Sequence, residues 1–284
     1  MKRNEKTEVI VVIPIHTVTP SEQEKCAFAQ CYKILGRHQI KVLCPAGLDI
    51  TAYRKIVPKF DVTKVEPIWL SSVQKYNQLK KSRYFYSLFG NYNYLLTYEL
   101  DAFVFKDELL YWCTKNFDYV GAPWFKGWHE ANEERVIIGV GNSGFSLRKI
   151  SKASEILNRI EKIKYLYQKC GCHSQTMNNK FRMLMRLLRP YFKISDVNLI
   201  PNIVEQQQQN EDLFWCMQVG NTFSDYKIAP AREAQHFSFE VNPSWLYKQT
   251  NNTVPFGCHA WEKYEPEFWK PFIIPSLLNE SEII

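Results

Sequence analysis

The chain has 284 residues, of which 45% are hydrophobic and 15% aromatic, so it can bury a large core. Its formal charge of +7 is modest for this length, which suits an anionic ligand or an acidic membrane surface and gives no argument for nucleic acid. No apolar run reaches the ~18–20 residues of a membrane span, and the polar first residues do not resemble a signal peptide. The eight scattered cysteines lack a Cys-x-x-Cys pair, which argues against a zinc knuckle and favours reduced thiols in a cytosolic protein.

The first elements predict a βαβ unit. A β-branched run from Glu8 to His16 is typical of a central strand in a parallel sheet that helices cover on both faces. Ser21 is a good helix N-cap and Glu24 completes a capping box, so a helix should follow. A second strand is expected at 38–44. Ligands of such sheets bind beyond the carboxyl ends of the strands, which here includes Pro14–Thr17.

The next stretch predicts a weak strand at 62–69 and one helix from Ser72 to Leu88. Apolar residues recur along that helix, and we expect these to be buried: Val73, Tyr76, Leu79, Tyr84 and Leu88. A short helix with Leu109, Leu110 and Trp112 packed inside is expected at 107–113, and a longer helix at 150–166.

The most informative stretch, from Tyr92 to Phe105, places two acids after an apolar and aromatic run of strand-like composition. Glu99 and Asp101 are separated by one residue, and in extended backbone such residues point to the same side. Two carboxylates on one side repel each other unless positive charge lies between them. Mg²⁺ and Mn²⁺ take carboxylate oxygens readily. The spacing therefore favours a metal site, and a solvated strand end with two surface acids is the alternative.

A Gly-rich loop at 140–148 is the second informative stretch. Gly141 and Gly144 permit close backbone approach or positive φ. Asn142 and Ser143 between them supply hydrogen-bond donors and acceptors. An ordinary turn explains the same composition.

The least regular region, at 165–209, contains a basic amphipathic pattern. One helical face carries Phe181, Leu184, Met185 and Leu188, and another carries Arg182, Arg186 and Arg189. We expect Pro190 to end the helix and 206–209 to form a loop. A basic amphipathic helix can lie on anionic membrane, so Lys180–Lys193 is a candidate for peripheral membrane contact. The alternative is a helix packed on its own domain with the arginines in water.

Acids and histidines recur toward the end of the chain. Asn210 predicts the N-cap of a helix with Glu211 and Asp212 in its first turn, where the helix dipole favours ionised acids. The helix dipole alone can explain why two acids occur there. The functional alternative is that one of them faces a cleft. Glu233 and His236 are expected in a strand and turn.

His259 follows a proline and a glycine on a turn between aromatic residues. A lone histidine is usually structural. If the fold returns it to Asp101, it becomes a candidate third metal ligand.

Five stretches in a fixed order carry a resemblance: Tyr94–Phe103, Asp118–Trp124, Gly141–Arg148, Glu211–Phe214 and Pro255–Trp261. Together they resemble GT-A glycosyltransferases, and more narrowly the DUF5672 group of uncharacterised bacterial and fungal proteins. The resemblance implies an α/β fold: one GT-A-like, Rossmann-related domain over 1–284, with a mixed, mostly parallel central sheet flanked by helices. It also implies a nucleotide-sugar-binding half near 8–125 and an acceptor-binding half near 136–262, with a helical insertion near 165–209.

This resemblance implies transfer of a sugar from a nucleotide sugar, with a UDP-sugar expected, to a hydroxyl of a glycan or lipid-linked glycan. Such a role would suit cell-surface polysaccharide synthesis. The family's Asp-x-Asp motif is Glu99-Leu-Asp101 here, so Asp101, His259 and Glu99 are the expected ligands of Mn²⁺ or Mg²⁺. Glutamate is one methylene longer than the aspartate of that motif. The residues expected around the donor are Pro14, His16, Thr17, Tyr76, Asn77, Glu99, Asn142, Ser143 and Gly144.

The pair Glu211 and Asp212 resembles the acidic pair that supplies a general base in many inverting members. We predict Asp212 as the base and Glu211 as the second choice, which would invert the anomeric centre. A retaining outcome stays open because fold does not fix stereochemistry. Four aromatic residues suit a sugar acceptor, with Trp128 foremost: Trp124, Trp128, Tyr247 and Trp261.

Two other functions remain open. A metal-dependent nucleotidyltransferase would share the βαβ start and the acids, but it would need a Lys/Arg-rich phosphate loop, which 15–20 lacks. A non-catalytic carbohydrate-binding protein would keep the aromatics and lose the acids, so the retention of Asp101, Asp212 and His259 argues against it. We expect a cytoplasmic protein, with a peripheral position on the inner face of the membrane as a further option.

Overall fold

A computed structural model describes residues 7–128, 134–172, 177–205 and 210–278; the loop expected at 206–209 lies outside them. The strands are β1 (Thr7–Pro14), β2 (Gln39–Pro45), β3 (Asp61–Val65), β4 (Tyr92–Tyr98), β5 (Ala102–Val104), β6 (Tyr119–Val120), β7 (Ala122–Phe125), β8 (Ile137–Gly141), β9 (Phe145–Lys149), β10 (Ser238–Phe239) and β11 (Gly257–His259).

The helices are α1 (Glu22–Leu35), α2 (Thr51–Ile56), α3 (Val73–Lys80), α4 (Arg83–Leu88), α5 (Leu109–Thr114), α6 (Ile150–Lys169), α7 (Asn179–Phe192), α8 (Ile200–Val204), α9 (Glu211–Leu213), α10 (Gly220–Thr222), α11 (Ala231–Phe237), α12 (Pro243–Gln249) and α13 (Pro266–Leu278). A π-helical segment, Phe214–Val219, joins α9 to α10. No helix among these described residues is both long and apolar enough to cross a membrane.

The central sheet has six strands in the order β3-β2-β1-β4-β9-β6. The four strands from β3 to β4 are parallel, whereas β9 runs antiparallel to both β4 and β6. Helices cover both faces, and successive residues of β1 enter two different cores: Ile10 and Val12 pack on one side, Val9 and Val11 on the other. This two-sided burial explains the continuous apolar run of β1. The predicted α/β class, with a mixed and mostly parallel sheet flanked by helices, is confirmed.

The predicted βαβ start is also confirmed. The Ser21 hydroxyl accepts from the Glu24 amide and the Glu24 carboxylate accepts from the Ser21 amide, which completes the capping box of α1. Helix α1 then crosses between β1 and β2, which pair in parallel. The carboxyl ends of β1 and β4 therefore meet at one edge of the sheet.

The single helix predicted from Ser72 to Leu88 is wrong, because the chain breaks into α3 and α4. Ser82 is the N-cap of α4, and its hydroxyl accepts from the Phe85 amide at 3.1 Å. Val73, the first residue of α3, and Tyr84, which follows the break, were expected to be buried but are exposed by 76% and 42%. Leu110, expected to pack inside, is likewise 42% exposed.

Two further local expectations are wrong. Pro190 lies inside α7, which continues to Phe192 and ends at Lys193 in the left-handed conformation. The ring removes one backbone donor there, but it does not end the helix two residues early. Glu233 and His236 lie on α11 and not in a strand and turn.

A small second sheet, in the order β10-β11-β5, brings the end of the chain to the sheet edge. In its antiparallel register His259 stands opposite Ala102. On the other side, the Glu99 amide donates to the Gly144 carbonyl at 2.7 Å, just beyond the pairing of β4 with β9. Backbone pairing thus gathers three distant stretches around residues 99–101.

Asp225 joins α6 to the end of α7. Its carboxylate accepts from Lys152 at 2.6 Å and from Arg159 at 2.7 and 2.9 Å, and Lys193 lies 3.2 Å away. Burial raises the pKa of Asp225, but the hydrogen bonds from these cations outweigh it and hold the pKa well below its usual range.

We therefore expect Asp225→Asn to lower the free energy of unfolding by about 1–3 kcal/mol at neutral pH. Because the folded pKa is depressed, the stabilisation is present above the unfolded pKa of about 3.9 and is lost as the pH falls below it. Urea unfolding of both proteins across this range should show the difference shrinking in acid. Asp61→Asn, an exposed change, is the control. A difference that did not depend on pH would contradict the ion-pair explanation.

Candidate metal and donor site

Three potential metal ligands converge beyond the carboxyl end of β4. Glu99 and Asp101 lie in the turn between β4 and β5, and His259 ends β11. One ligand atom from each lies within 4.8 Å of the others. The His259 Nε2 atom is 3.1 Å from Asp101 Oδ1 and 4.0 Å from Glu99 Oε2. The structure thus brings His259 back to Asp101, as the metal hypothesis requires.

The imidazole of His259 is oriented through its Nδ1 atom, which contacts Glu240. Its Nδ1 lies 3.0 Å from Glu240 Oε1, and the Asn142 amide donates to Glu240 Oε2 at 3.0 Å. Its Nε2 is buried and faces Asp101 Oδ1 at 3.1 Å as an ion pair. A carboxylate that fixes Nδ1–H and leaves Nε2 free is typical of a metal-ligating histidine.

Glu240 was missed in the sequence. It directly follows the short buried strand β10, and an acid at the end of a buried strand was the available signal.

The carboxylates around His259 need positive charge nearby to offset their mutual repulsion. Burial lowers the pKa of His259, but attraction to Asp101 and Glu240 outweighs it and leaves the pKa well above its ordinary value. Burial raises the pKa of Asp101, and the charge of His259 more than reverses that shift. A proton on His259 satisfies the acids, and a divalent cation bound at Nε2 would replace this proton and supply the positive charge instead. Two carboxylates with one imidazole are a fitting donor set for such a cation.

Lys80 holds the other side of Glu99. Its ammonium is fully buried, 3.0 Å from Glu99 Oε1 and 3.2 Å from Glu211 Oε1, and donates to the Ser143 hydroxyl. It also lies 4.1 Å from the centre of the Tyr76 ring. One oxygen of Glu99 is therefore engaged by Lys80, while Oε2 faces His259. The sequence analysis gave Lys80 no role, and a lysine inside an otherwise regular helical pattern offered no clear signal.

Glu211 is part of a buried ion-pair network. Arg148 binds it through two hydrogen bonds of 2.7 and 2.6 Å, and Lys80 adds a third contact. Its backbone amide donates to Asn77 at 3.0 Å. Burial raises the pKa of Glu211, but the charges of Arg148 and Lys80 lower it by more than this. The net pKa is below the ordinary value, so the carboxylate stays ionised.

Asp212 has a different environment. Its side chain is partly exposed, and burial together with the neighbouring charge of Glu211 raises its pKa to about 6. The helix dipole was expected to favour the ionised form of this acid, and a pKa of about 6 still leaves it ionised at neutral pH. Desolvation and the charge of Glu211 nevertheless make it a stronger base than an ordinary aspartate.

A cavity of about 710 Å³ opens beside the cluster, at the carboxyl ends of β1 and β4. Seven of the nine residues predicted around the donor line it: Pro14, His16, Thr17, Tyr76, Asn77, Glu99 and Ser143. Asp101 lines it as well. The cavity therefore joins the first strand, α3 and the acids in one space.

Asn142, Gly144 and Asp212 are not among the described residues that line the cavity. Asn142 is buried and bonds to Glu240. Gly144 is packed so tightly that a Cβ would lie 2.1 Å from His259 Nε2. Glycine is therefore needed for this close approach, and the residue shapes the cluster from outside the cavity.

The predicted acceptor aromatics separate into two groups. Trp124 is buried and packs edge-on against Trp128, with ring centres 5.1 Å apart. Trp128 itself is 39% exposed. Tyr247 and Trp261 pack against the separate core under α13. Trp128 is thus the most accessible of the four.

Residues 59–259 match the family described as protein of unknown function (DUF5672). This match spans most of the chain, and the protein belongs to that family. A comparison with curated proteins found no match.

Solved structures give weaker similarities. An active-site mutant of LgtC matches with 13% identity and a TM-score of 0.45, over 88% of this chain and 86% of that one. The galactosyltransferase LgtC, in complex with donor and acceptor sugar analogues, matches over the same shares with 13% identity and a TM-score of 0.43. A cytidylyltransferase from Leptospira borgpetersenii serovar Hardjo-bovis (strain JB197) matches with 9% identity and a TM-score of 0.32, over 53% and 63%. At these scores the similarities carry no argument about activity.

The two neighbouring acids should respond differently to mutation. Glu211→Gln leaves Arg148 and Lys80 buried without their counter-charge, so we expect a loss of about 3–5 kcal/mol in the free energy of unfolding. Asp212→Asn should cost less than about 1 kcal/mol, because an acid with a raised pKa gains from becoming neutral. Chemical denaturation at neutral pH measures both. Equal losses would contradict the assignment of Glu211 to the fold.

Proposed function

We propose that this protein is a metal-assisted glycosyltransferase that moves a sugar from a nucleotide sugar, with a UDP-sugar expected, to a hydroxyl of a glycan or lipid-linked glycan. One observation carries the proposal: Glu99 and Asp101 line a ligand-sized cavity, and one ligand atom of the neighbouring His259 lies within 4.8 Å of their carboxylate oxygens. Such a cavity falls within the roughly 300–1,000 Å³ typical of small-molecule sites.

The donor would lie in this cavity, with its base and ribose along Pro14–Thr17. The Thr17 hydroxyl is hydrogen-bonded with Tyr53 at 3.2 Å, which steadies that wall. Tyr76 and Asn77 of α3 form the facing wall. The diphosphate would then extend toward Glu99 and Asp101.

Asp101, His259 and Glu99 would hold the divalent cation, Mn²⁺ or Mg²⁺. When bound, such a cation neutralises the charge that develops on a departing diphosphate. Glu240 keeps the His259 nitrogen available, and Lys80 orients Glu99 and balances its charge. The longer glutamate side chain at position 99 is thereby anchored at one oxygen.

Asp212 is the proposed base. The acceptor oxygen would bond to the anomeric carbon as the bond to the diphosphate oxygen breaks, its proton passing to the Asp212 carboxylate and the electron pair leaving with the nucleoside diphosphate. Both oxygens of Glu211 are engaged by Arg148, which makes it the weaker candidate. Attack opposite the leaving group would invert the anomeric centre.

Trp128 is the proposed acceptor contact, because its exposed ring can stack on the C–H face of a sugar. The proposal includes a cytoplasmic location with peripheral contact at the inner face of the membrane. All eight cysteines are free thiols, which suits a reducing compartment. The halves near 8–125 and 136–262 remain our proposed division between donor and acceptor.

Calorimetry with UDP tests the donor and cation together. We expect Mn²⁺ to strengthen UDP binding, and Asp101→Ala to weaken Mn²⁺ binding by at least about 100-fold because it removes a ligand. Asp107→Ala, which removes a carboxylate paired with His38 away from the cavity, is the matched control. Unchanged metal dependence in Asp101→Ala would end the proposed cation site. Glycan binding without affinity for any nucleoside diphosphate would favour the non-catalytic alternative.

The pH dependence of transfer tests the base. Because burial and Glu211 raise the pKa of Asp212 to about 6, the rate of a single turnover should rise as the pH passes through this value and then level off. Asp212→Asn should lower the rate by about 10²–10⁴ and remove this limb. Single-turnover rates, with the enzyme in excess over the donor, measure it. An unchanged limb in Asp212→Asn would assign the base to another group.

A further inference from the structure

Helix α7 presents a second apolar surface that its own domain does not cover. Phe181, Met185 and Phe192 are buried and anchor the helix. On another side, Met183, Leu187 and Tyr191 are exposed by 66%, 72% and 69%. These are three of the four most exposed large apolar side chains among the described residues. They are spaced four residues apart, so they form one continuous stripe along the helix.

A strong positive charge accompanies this stripe. The segment 177–194 contains five basic residues and no acid: Lys180, Arg182, Arg186, Arg189 and Lys193. Arg182 donates to Asn198 at 3.0 Å and Arg189 to the carbonyl of Ile194 at 2.8 Å, which leaves both charges uncompensated. Lys180 and Arg186 have no partner within the described part of the chain, and Lys193 is the one that pairs with an acid.

The two features lie side by side on the helix. At about 100° per residue, the stripe covers an arc of about 80°, and the three arginines cover a neighbouring arc of about 60°. An apolar strip bordered by long cationic side chains is the arrangement of a helix that lies in a bilayer interface. The apolar side chains enter the acyl boundary, while arginine stems lie along it and keep their charges at the headgroups.

Charge also discriminates between possible occupants. A second copy of this chain would bring two acid-free basic segments together, and the like charges would oppose the contact. An anionic lipid surface complements them, since each basic residue near such a surface is attracted to it.

We propose that α7 binds the surface of an anionic bilayer, with Met183, Leu187 and Tyr191 inserted and Lys180 and Arg186 on the headgroups. This surface would hold the protein where a lipid-linked acceptor is presented. This inference deepens the membrane contact of the proposed function, but binding does not require the transfer chemistry. Failure of vesicle binding would remove only that contact, and failure of sugar transfer would leave the α7 surface standing.

Co-sedimentation of the full chain with vesicles tests the proposal. Vesicles with about one-third anionic lipid should bind it and neutral phosphatidylcholine vesicles should not, and high salt should weaken the binding. Arg186→Gln should weaken binding roughly fivefold, as expected for one interfacial charge. The combined variant Met183→Ser, Leu187→Ser and Tyr191→Ser should weaken it more than about tenfold, because it removes the inserted apolar area.

Matched controls test whether vesicle binding depends on α7 specifically or on any exposed positive charge and apolar side chain. Arg232→Gln removes an exposed arginine from α11, and the combined variant Leu110→Ser, Tyr111→Ser and Ile138→Ser removes three exposed apolar side chains elsewhere. Both should bind vesicles as the parent protein does. Equal binding by the α7 variants, or binding to neutral vesicles alone, would overturn the proposal. A concentration-dependent dimer that the α7 apolar variant abolishes would overturn it in favour of a second copy.

Discussion

The antiparallel pairing of β11 with β5 is the constraint on which the whole candidate site depends. It sets His259 opposite Ala102, one residue beyond Asp101, although 157 positions of sequence separate His259 from Ala102. A slip of one residue in this register would turn the imidazole to the other face of the strand. Glu240 and Asn142 add a second layer of control by fixing the ring itself. The cation site is therefore a property of strand pairing more than of any local motif.

A chain of alternating charges extends from this cluster into the core. Arg148, Glu211, Lys80 and Glu99 follow one another through contacts of about the length of a hydrogen bond. Each side chain is paired with one of opposite charge, so none of these four charges is isolated. An unpaired charge in the protein interior would be strongly destabilising. Through this chain the helix that carries Asp212 is tied to the turn that carries Glu99. One series of ion pairs thus connects the neighbourhood of the proposed base with the proposed cation site.

Sequence reasoning found the class of the fold because its signals are local. The two-sided apolar run of β1 and the capping box of α1 needed nothing beyond their own residues. Spacing and resemblance also predicted that Glu99, Asp101 and His259 share one site, and the structure brings these three side chains together. Sequence reasoning missed Lys80 and Glu240, because each acts through partners brought close only by the fold. The helix break at Ser82 was missed since a serine in a helical pattern marks a cap only when the chain turns there. The size of the pKa shift at Asp212 could not be predicted from sequence, because it depends on how deeply the fold buries this acid beside Glu211.

The π-helical segment Phe214–Val219 limits insertions and deletions in this part of the chain. A π-helical turn holds one residue more than the α-helical turn it replaces. Removing a residue there would restore regular winding and rotate Glu211–Leu213 by about 100° relative to α10, which follows the segment. Glu211 would then leave Arg148, and Asp212 would face a different side. The segment is consequently locked in length, so insertions and deletions compatible with this architecture should fall elsewhere in the chain.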